Sequence, residues 1–309
     1  MTHAFSHFTR RHALSLGAGA ALAGYLPESV LAQGALLARK IPSSGEMLPS
    51  IGIGTAIIFD FENDYAKFDE RAEVLKALVA GGGKLIDTAP SYGKAENRLG
   101  DLFAATSLRD KVFLATKVRV ADRAASEAEM KASFEKLKTK SVELMQLHNV
   151  RDPDQSLDLY REWKAQGLCK YVGVTSSFDR DYAAVEACVR REKPDFFQID
   201  YSMVDRNSEE RLIPAAADAG CAILTNLPFG RGRFFKAVAG KPLPEYAKEI
   251  DATSWAQFAL KWLLGNLAIT AVIPGTDKPQ YMVDNLKAGM GRLPDAAMRK
   301  KMVATIEGF

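Results

Sequence analysis

The chain has 309 residues, of which 47% are hydrophobic and 26% charged, and its formal net charge is +3. That length can bury the core of one barrel-sized domain, and its Lys and Arg are interspersed with Asp and Glu, unlike the blocks or aromatic-interleaved stripes of a nucleic-acid surface. Neither nucleic acid nor an anionic membrane is implied as a partner. A histidine-rich metal site is excluded as well, because three of the four histidines fall within the first 12 residues and only His148 lies beyond them.

Residues 1 to 32 differ from the rest. Thr9-Arg10-Arg11-His12-Ala13-Leu14 precedes a small and apolar stretch from Leu14 to Leu26, and Val30-Leu31-Ala32 offers small residues where a signal peptidase cuts. The segment resembles a twin-arginine export signal, which implies a mature start near Gln33, a periplasmic location and no stable membrane insertion after cleavage. The apolar stretch is short of the roughly 20 residues that a span requires. Residues 33 to 309 show no composition break or Pro/Ser-rich linker and read as one domain.

Within that domain, Ile41 to Ser50 reads as a short hairpin around Ser43-Ser44-Gly45-Glu46. Apolar runs predict strands over Ile51–Thr55, Leu85–Thr88, Val112–Lys117, Val142–His148, Tyr171–Thr175, Phe196–Tyr201, Ala222–Asn226 and Ile269–Ile273. Helical patterns fall between them, over Glu70–Val79, Glu127–Leu137, Leu157–Gln166, Tyr182–Arg191, Glu209–Ala219 and Ser254–Leu264. Eight strands alternating with helices argue for an α/β fold, a closed parallel (β/α)8 TIM barrel preceded by the hairpin. Gly81-Gly82-Gly83 follows a helix and precedes a strand, which makes it a helix stop and not a phosphate loop. The gap from Asn226 to Ile269 is the longest between strands, and it is expected to form a flexible loop over the rim. Cys169, Cys188 and Cys221 sit in strand or helix patterns and read as packing residues, although an oxidising compartment leaves a bridge open.

Asp87 and Tyr92 in LIDTAPSYGKAENRLG, Lys117 in VFLATKV and His148 in VELMQLHNV each lie at or just past the C-terminal end of a predicted strand. A parallel barrel brings all four to the rim where barrel enzymes do chemistry. In this order the motifs resemble the aldo-keto reductase family, whose DTA…YG…E segment, strand lysine and strand-end histidine match Asp87-Thr88-Ala89, Tyr92-Gly93, Glu96, Lys117 and His148. GVTSS at Gly173–Ser177, FFQID around Gln198 and VIPGT at Val272–Thr276 extend the likeness from about Ile51 to Asn285. The resemblance implies an N-terminal hairpin closing the barrel floor, NADP(H) or NAD(H) as cofactor, a small carbonyl or alcohol substrate, no metal, and a monomer.

The chemistry suits those residues. Reducing a carbonyl with hydride leaves negative charge on oxygen, so a proton donor must stand beside it. Tyr92 is expected to be that acid, with Lys117 lowering its pKa, Asp87 fixing Lys117 and His148 orienting the substrate oxygen. For the cofactor, the resemblance assigns the nicotinamide carboxamide to Thr175, Ser176 and Gln198, and the pyrophosphate to Leu227 and Arg231. Asn226 stands where the family commonly has a stacking tyrosine. Gly275-Thr276…Tyr281…Asp284-Asn285 replaces a Lys-Ser…Arg…Glu-Asn pattern, so both cations that grip a 2′-phosphate are missing, with Lys278 or Lys287 as substitutes.

Ala56-Ile57-Ile58-Phe59, Val118, Asn149, Phe178 and Phe229 predict an apolar substrate pocket, to which Arg119 and Arg231 add positive charge. A chain ending at Phe309 lacks the long C-terminal loop of some relatives, which implies an open site. The alternative function is a non-catalytic nucleotide-binding barrel, acting as a sensor or subunit partner.

Overall fold

Parallel strands covered on both faces need near-continuous apolar sequence, and the chain supplies it eight times. A computed structural model describes residues 34–119 and 122–309. The barrel strands are β3 (Ile53–Gly54), β4 (Leu85–Asp87), β5 (Phe113–Val118), β6 (Val142–Leu147), β7 (Cys169–Thr175), β8 (Phe196–Asp200), β9 (Ala222–Asn226) and β10 (Ile269–Val272). Each pairs in parallel with the next, in the order β3 to β10. The ring closes between the first and last strands, where Gly52 N donates to Val272 O at 2.9 Å and Val272 N donates to Ser50 O at 3.0 Å. This is the expected (β/α)8 barrel. The first strand is shorter than predicted because Thr55 turns inward, its N–H and Oγ1 each donating to Asp87 O at 3.0 Å.

An antiparallel hairpin of β1 (Ala38–Lys40) and β2 (Met47–Pro49) precedes the barrel, with Ala38 opposite Pro49 and Lys40 opposite Met47. Ile41 and Leu48 are buried against Leu85, Phe113, Leu144, Phe196 and Ala271 inside the ring. The hairpin therefore plugs the floor, as its sequence predicts. Glu46 anchors it by accepting from Tyr171 Oη at 2.5 Å and from Lys170 Nζ at 2.7 Å.

Outside the ring lie α1 (Tyr65–Ala80), α2 (Ala95–Thr106), α3 (Arg123–Leu137), α4 (Asp158–Ala165), α5 (Tyr182–Glu192), α6 (Leu212–Asp218), α7 (Arg233–Ala237), α8 (Trp255–Leu264), α9 (Pro279–Lys287) and α10 (Ala296–Glu307). Short polar side chains start several of them: Asp64, Asp122, Ser254 and Asp295 each accept the backbone N–H three residues on. These caps place α1 and α3 starts several residues earlier than apolar periodicity alone indicated. The predicted helix over Glu209–Ala219 is shortened to α6, preceded by a 3-10 turn over Asn207–Glu209.

The segment between β9 and β10 is more ordered than a flexible loop. It carries 3-10 turns at Gly230–Gly232 and Glu245–Ile250 as well as α7. Phe229, Phe234, Phe235 and Trp255 pack edge to face or tilted within it. The three cysteines are buried and unbonded, and burial pushes the thiols of Cys169 and Cys221 up to about 12 and that of Cys188 to about 11. The export-signal reading falls on residues 1 to 32, outside those described. Among the described residues, no helix is long and apolar enough to cross a membrane.

If the hairpin is a structural plug, truncating its fully buried anchor opens a void at the barrel floor. Ile41→Ala is expected to cost about 2–5 kcal/mol, read as a lowered midpoint in urea denaturation.

Candidate active site

The interior of a barrel strand must face the other strands, so polar residues there bond to one another. At the upper end of the ring Lys117 from β5 reaches Asp87 from β4, with Nζ 2.7 Å from Oδ1, 2.8 Å from Oδ2 and 2.9 Å from Thr88 O. Their side chains are only 1% and 2% exposed. Two amides complete the cluster. Gln146, the register partner of Lys117 on β6, donates Nε2 to Gln198 Oε1 at 2.9 Å and, at a longer 3.4 Å, to Asp87 Oδ1. Gln198 Nε2 lies 3.4 Å from Asp87 Oδ2. Gly173 on the intervening β7 makes this reach possible, since a Cβ there would sit 3.0 Å from Gln146 Cγ and 3.1 Å from Phe196 Cβ.

Burial alone would discharge both charged groups. Against that burial, Asp87 and Tyr92 hold the Lys117 ammonium above its ordinary value. Burial likewise lifts the Asp87 carboxyl, while Lys117, Gln198 and Gln146 act to keep it ionised.

Tyr92 follows β4 on a tight turn. Gly93 adopts φ +57, and a Cβ at that position would fall 2.2 Å from Asp60 Oδ1, the atom that also accepts Lys94 N at 2.9 Å. The turn sets the Tyr92 ring with its centroid 5.1 Å from Lys117 Nζ. His148 packs edge-on to it, centroids 6.1 Å apart at 86°. Glu96 of the same motif is not part of the site. It braces α2 by accepting from Thr116 Oγ1 at 2.7 Å and Ser133 Oγ at 3.2 Å.

Two protonation states follow. His148 is held down at about 3 by burial and by the positive charges of Lys117, Arg119 and Arg151, so it is neutral at every ordinary pH. The Tyr92 phenol lies above its ordinary value, although Lys117 pulls it down as expected. Burial raises it, and with the help of Asp87 outweighs the downward pull of the ammonium.

Asp87, Tyr92 and His148 open onto one cavity of about 490 Å³, a size typical of small-molecule sites. Lys117 lies beneath it. Of the expected cofactor contacts, Asn226, Leu227, Arg231 and Gly275 line this cavity. The others are engaged in the scaffold. Thr175 Oγ1 accepts Asn149 N at 3.0 Å, Ser176 Oγ accepts Phe178 N at 3.4 Å, and Gln198 belongs to the buried cluster. Asn285 Nδ2 donates to Thr276 Oγ1 at 2.9 Å, and Asp284 accepts from Ser254 Oγ and Gln257 Nε2, both at 2.6 Å.

Of the expected substrate contacts, Ile57, Ile58, Asn149, Phe178 and Phe229 line the cavity, whereas Phe59 and Val118 are fully buried elsewhere in the core and Arg119 is bonded to Glu129. Ile57 is 85% exposed at the mouth with φ +69, a strained conformation for a β-branched residue. A second cavity of about 360 Å³ adjoins the first and shares Ser177, Phe178, Leu227 and Arg231 with it. Arg231 has no ion-pair partner among the described residues.

Gln146 of the buried cluster, and Ser91 and Ser177 of the cavity lining, have no assigned role in the sequence reading. A period-two reading of β6 would have placed Gln146 on the interior face with Leu144 and His148, but no local signal identifies a loop serine such as Ser177. Asp179, Asp200 and Asp205 line the second cavity and bring carboxylate oxygens within 4.8 Å of one another, and Asn207, Tyr182 and Arg233 bond to them.

The aldo/keto reductase family model matches residues 50–301. An aldo-keto reductase of Strobilurus tenacellus, str7, is 25% identical over 275 residues, spanning 75% of this chain and 81% of its own. The Bacillus subtilis (strain 168) aldo-keto reductase YhdN is 28% identical over 229 residues, spanning 68% of this chain and 66% of its own. The crystal structure of a Klebsiella pneumoniae aldo-keto reductase in complex with NADPH superposes with a TM-score of 0.71 at 21% identity, covering 86% of this chain and 94% of that one.

The neutral His148 ties stability to pH. Its folded value of about 3 lies below the unfolded 6.5, so the unfolded chain binds the extra proton as pH falls and stability drops below pH 6.5, at about 1.4 kcal/mol per pH unit. Urea denaturation should show that His148→Gln loses about 2 kcal/mol less than the natural protein between pH 7 and pH 5. With a buried catalytic-type cluster, a rim cavity and a matching family model over most of its length, the chain belongs to the aldo/keto reductase family.

Proposed function

We propose that this protein is an NAD(P)(H)-dependent oxidoreductase that interconverts aldehydes or ketones with alcohols, with Tyr92 as general acid and base. The observation that carries this reading is the stacking of Tyr92 over the buried Lys117–Asp87 pair, beside a neutral His148, at the base of one cavity. A nicotinamide nucleotide fits the residues present. The two cavities adjoin, Arg231 lines both without an ion-pair partner among the described residues, and Asn226 Oδ1 is a buried polar atom without a hydrogen-bond partner among them. The NADPH held by the Klebsiella pneumoniae neighbour supports the same class of ligand.

The reduced nicotinamide supplies the hydride when bound. The protein's own groups handle the proton. Tyr92, protonated because its pKa is raised, gives the phenolic proton to the oxygen that gains charge. Lys117 stabilises the tyrosinate left behind, and solvent returns the proton. A neutral imidazole carries one N–H, which His148 offers to the same oxygen. Ile57, Ile58, Phe178 and Phe229 favour a neutral, apolar carbonyl compound.

The absence of cations at Gly275, Thr276 and Tyr281 favours no phosphate grip there, which leaves NADH as acceptable as NADPH. That same feature, with Asn226 in place of an aromatic ring, favours a second reading: a barrel that binds the nucleotide as a sensor without turning over. On the sequence of residues 1 to 32 we place the protein in the periplasm. Replacing Arg10 and Arg11 together with Lys should retain it in the cytoplasm, seen by immunoblotting of cell fractions; unchanged export would remove this placement.

Tyr92→Phe is expected to lower kcat for carbonyl reduction about 10²–10⁴-fold with nucleotide affinity unchanged. Turnover that survives this change, or no turnover by the natural protein across a panel of aldehydes and ketones despite nucleotide binding, would defeat the enzyme reading and leave the sensor. Because the Tyr92 value is raised and His148 stays neutral, kcat/KM for reduction should be level from pH 6 to pH 9. Alcohol oxidation, which needs the tyrosinate, should still be rising at pH 9.

A further inference from the structure

A single exposed isoleucine needs no explanation, but one held in a strained backbone does, because the fold bears the strain and gains no packing in return. Ile57 is such a residue. Ile58 N donates to Ala56 O at 2.8 Å, and with Ile57 at φ +69 between them the three residues form the rare, strained kind of γ-turn. Glycine adopts that φ at no steric cost, whereas a β-branched side chain strongly disfavours it. The side chain is nevertheless 85% exposed, so it contributes little to the core. It lines the cavity that holds Tyr92 and His148.

The turn is held from both sides. Before it, Thr55 N and Oγ1 each bond to Asp87 O at 3.0 Å; after it, Ile58 O accepts from Arg71 Nε at 2.9 Å and Phe59 is fully buried. Asp60 Oδ1 accepts Lys94 N at 2.9 Å, which ties the loop to the turn that carries Tyr92. The flanking backbone therefore cannot relax, and the Ile57 side chain leaves it at a set place relative to Tyr92. Strain that the surroundings over-determine in this way clusters at ligand clamps. A ligand that covers Ile57 would supply the burial that the free protein lacks.

We propose that Ile57 selects substrate by its tail, favouring carbonyl compounds whose unbranched apolar chain runs from the oxygen beside Tyr92 out to the cavity mouth and covers this side chain. The inference rests on the carbonyl-reductase reading given above and narrows its substrate class to medium- and long-chain aldehydes and ketones. Short compounds fill only the base of the cavity and leave Ile57 in water. Each methylene moved from water onto the wall gains up to about fourfold in affinity. Because the tail is held equally in the bound substrate and in the transition state, that gain appears in KM.

The test is steady-state reduction by the full chain of straight-chain aldehydes from propanal to octanal, and of the matching 2-ketones, at saturating NADPH or NADH. For the natural protein kcat/KM should rise about 30-fold or more along the series, carried by KM. Ile57→Gly, which keeps φ +69 without strain, should lose about tenfold of that gain, again in KM. Its midpoint in urea should not fall. Ile57→Leu, which returns an apolar side chain to the same place, should recover most of the gain.

A chain-length gain that persists in Ile57→Gly would overturn the proposal, as would equal losses in the glycine and leucine variants. A lowered urea midpoint for Ile57→Gly would overturn it too, since the side chain would then serve the fold. If the natural protein reduced propanal and octanal with equal efficiency, the carbonyl-reductase reading would stand and only the selection by Ile57 would be lost. If no aldehyde or ketone of the series were reduced, that reading would fall and this inference with it.

Discussion

A lysine and an aspartate enclosed in a barrel can both stay charged only while they face each other. The Lys117–Asp87 contact is therefore the constraint on which the upper half of this molecule is built. Removing one partner of such a pair costs about 3–5 kcal/mol because the other charge is left without compensation. The surrounding residues are arranged accordingly. Two amides, from β6 and β8, approach the carboxylate, and the glycine of β7 stays bare so that they can meet across it. Thr55 bonds to Asp87 O and lines the same cavity as Asp87.

The field of that pair shapes its neighbours unequally. Lys117 helps to keep His148 neutral, because a second positive charge a short distance away in a buried setting is unfavourable. The same ammonium pulls Tyr92 toward ionisation but does not overcome burial. A protonated phenol and an uncharged imidazole are what a carbonyl reduction needs, since each has a hydrogen to offer to an oxygen that is becoming negative. Beneath them, the hairpin fills the lower half of the ring with Ile41 and Leu48, so the polar cluster has apolar packing below and a cavity above.

Much of this was legible along the chain. The eight apolar runs, their alternation with helical patterns, the floor hairpin, the packed cysteines and the four rim residues all emerge from local sequence, because each depends on periodicity or on a motif within a few residues. The cofactor positions were less legible. Thr175, Ser176, Gln198, Thr276, Asp284 and Asn285 carry the side chains that a motif comparison selects, yet each is bonded to the scaffold. Whether a hydroxyl or amide faces a cavity depends on rotamers and on neighbours from other strands, and Gln198 is drawn inward by a carboxylate 111 residues away in sequence.

The sequence by itself determined the repeating strand and helix order, and with it the expectation of a parallel barrel, since neighbouring parallel strands need a long crossover and a helix supplies it. It also determined which residue types stand at the strand ends. The tertiary structure alone decided which of those residues share a cavity, which are consumed by the fold, and what charge each carries. Those outcomes follow from burial and from distances between strands remote in sequence, as when Asn226 at the end of β9 bonds to Ser177 after β7.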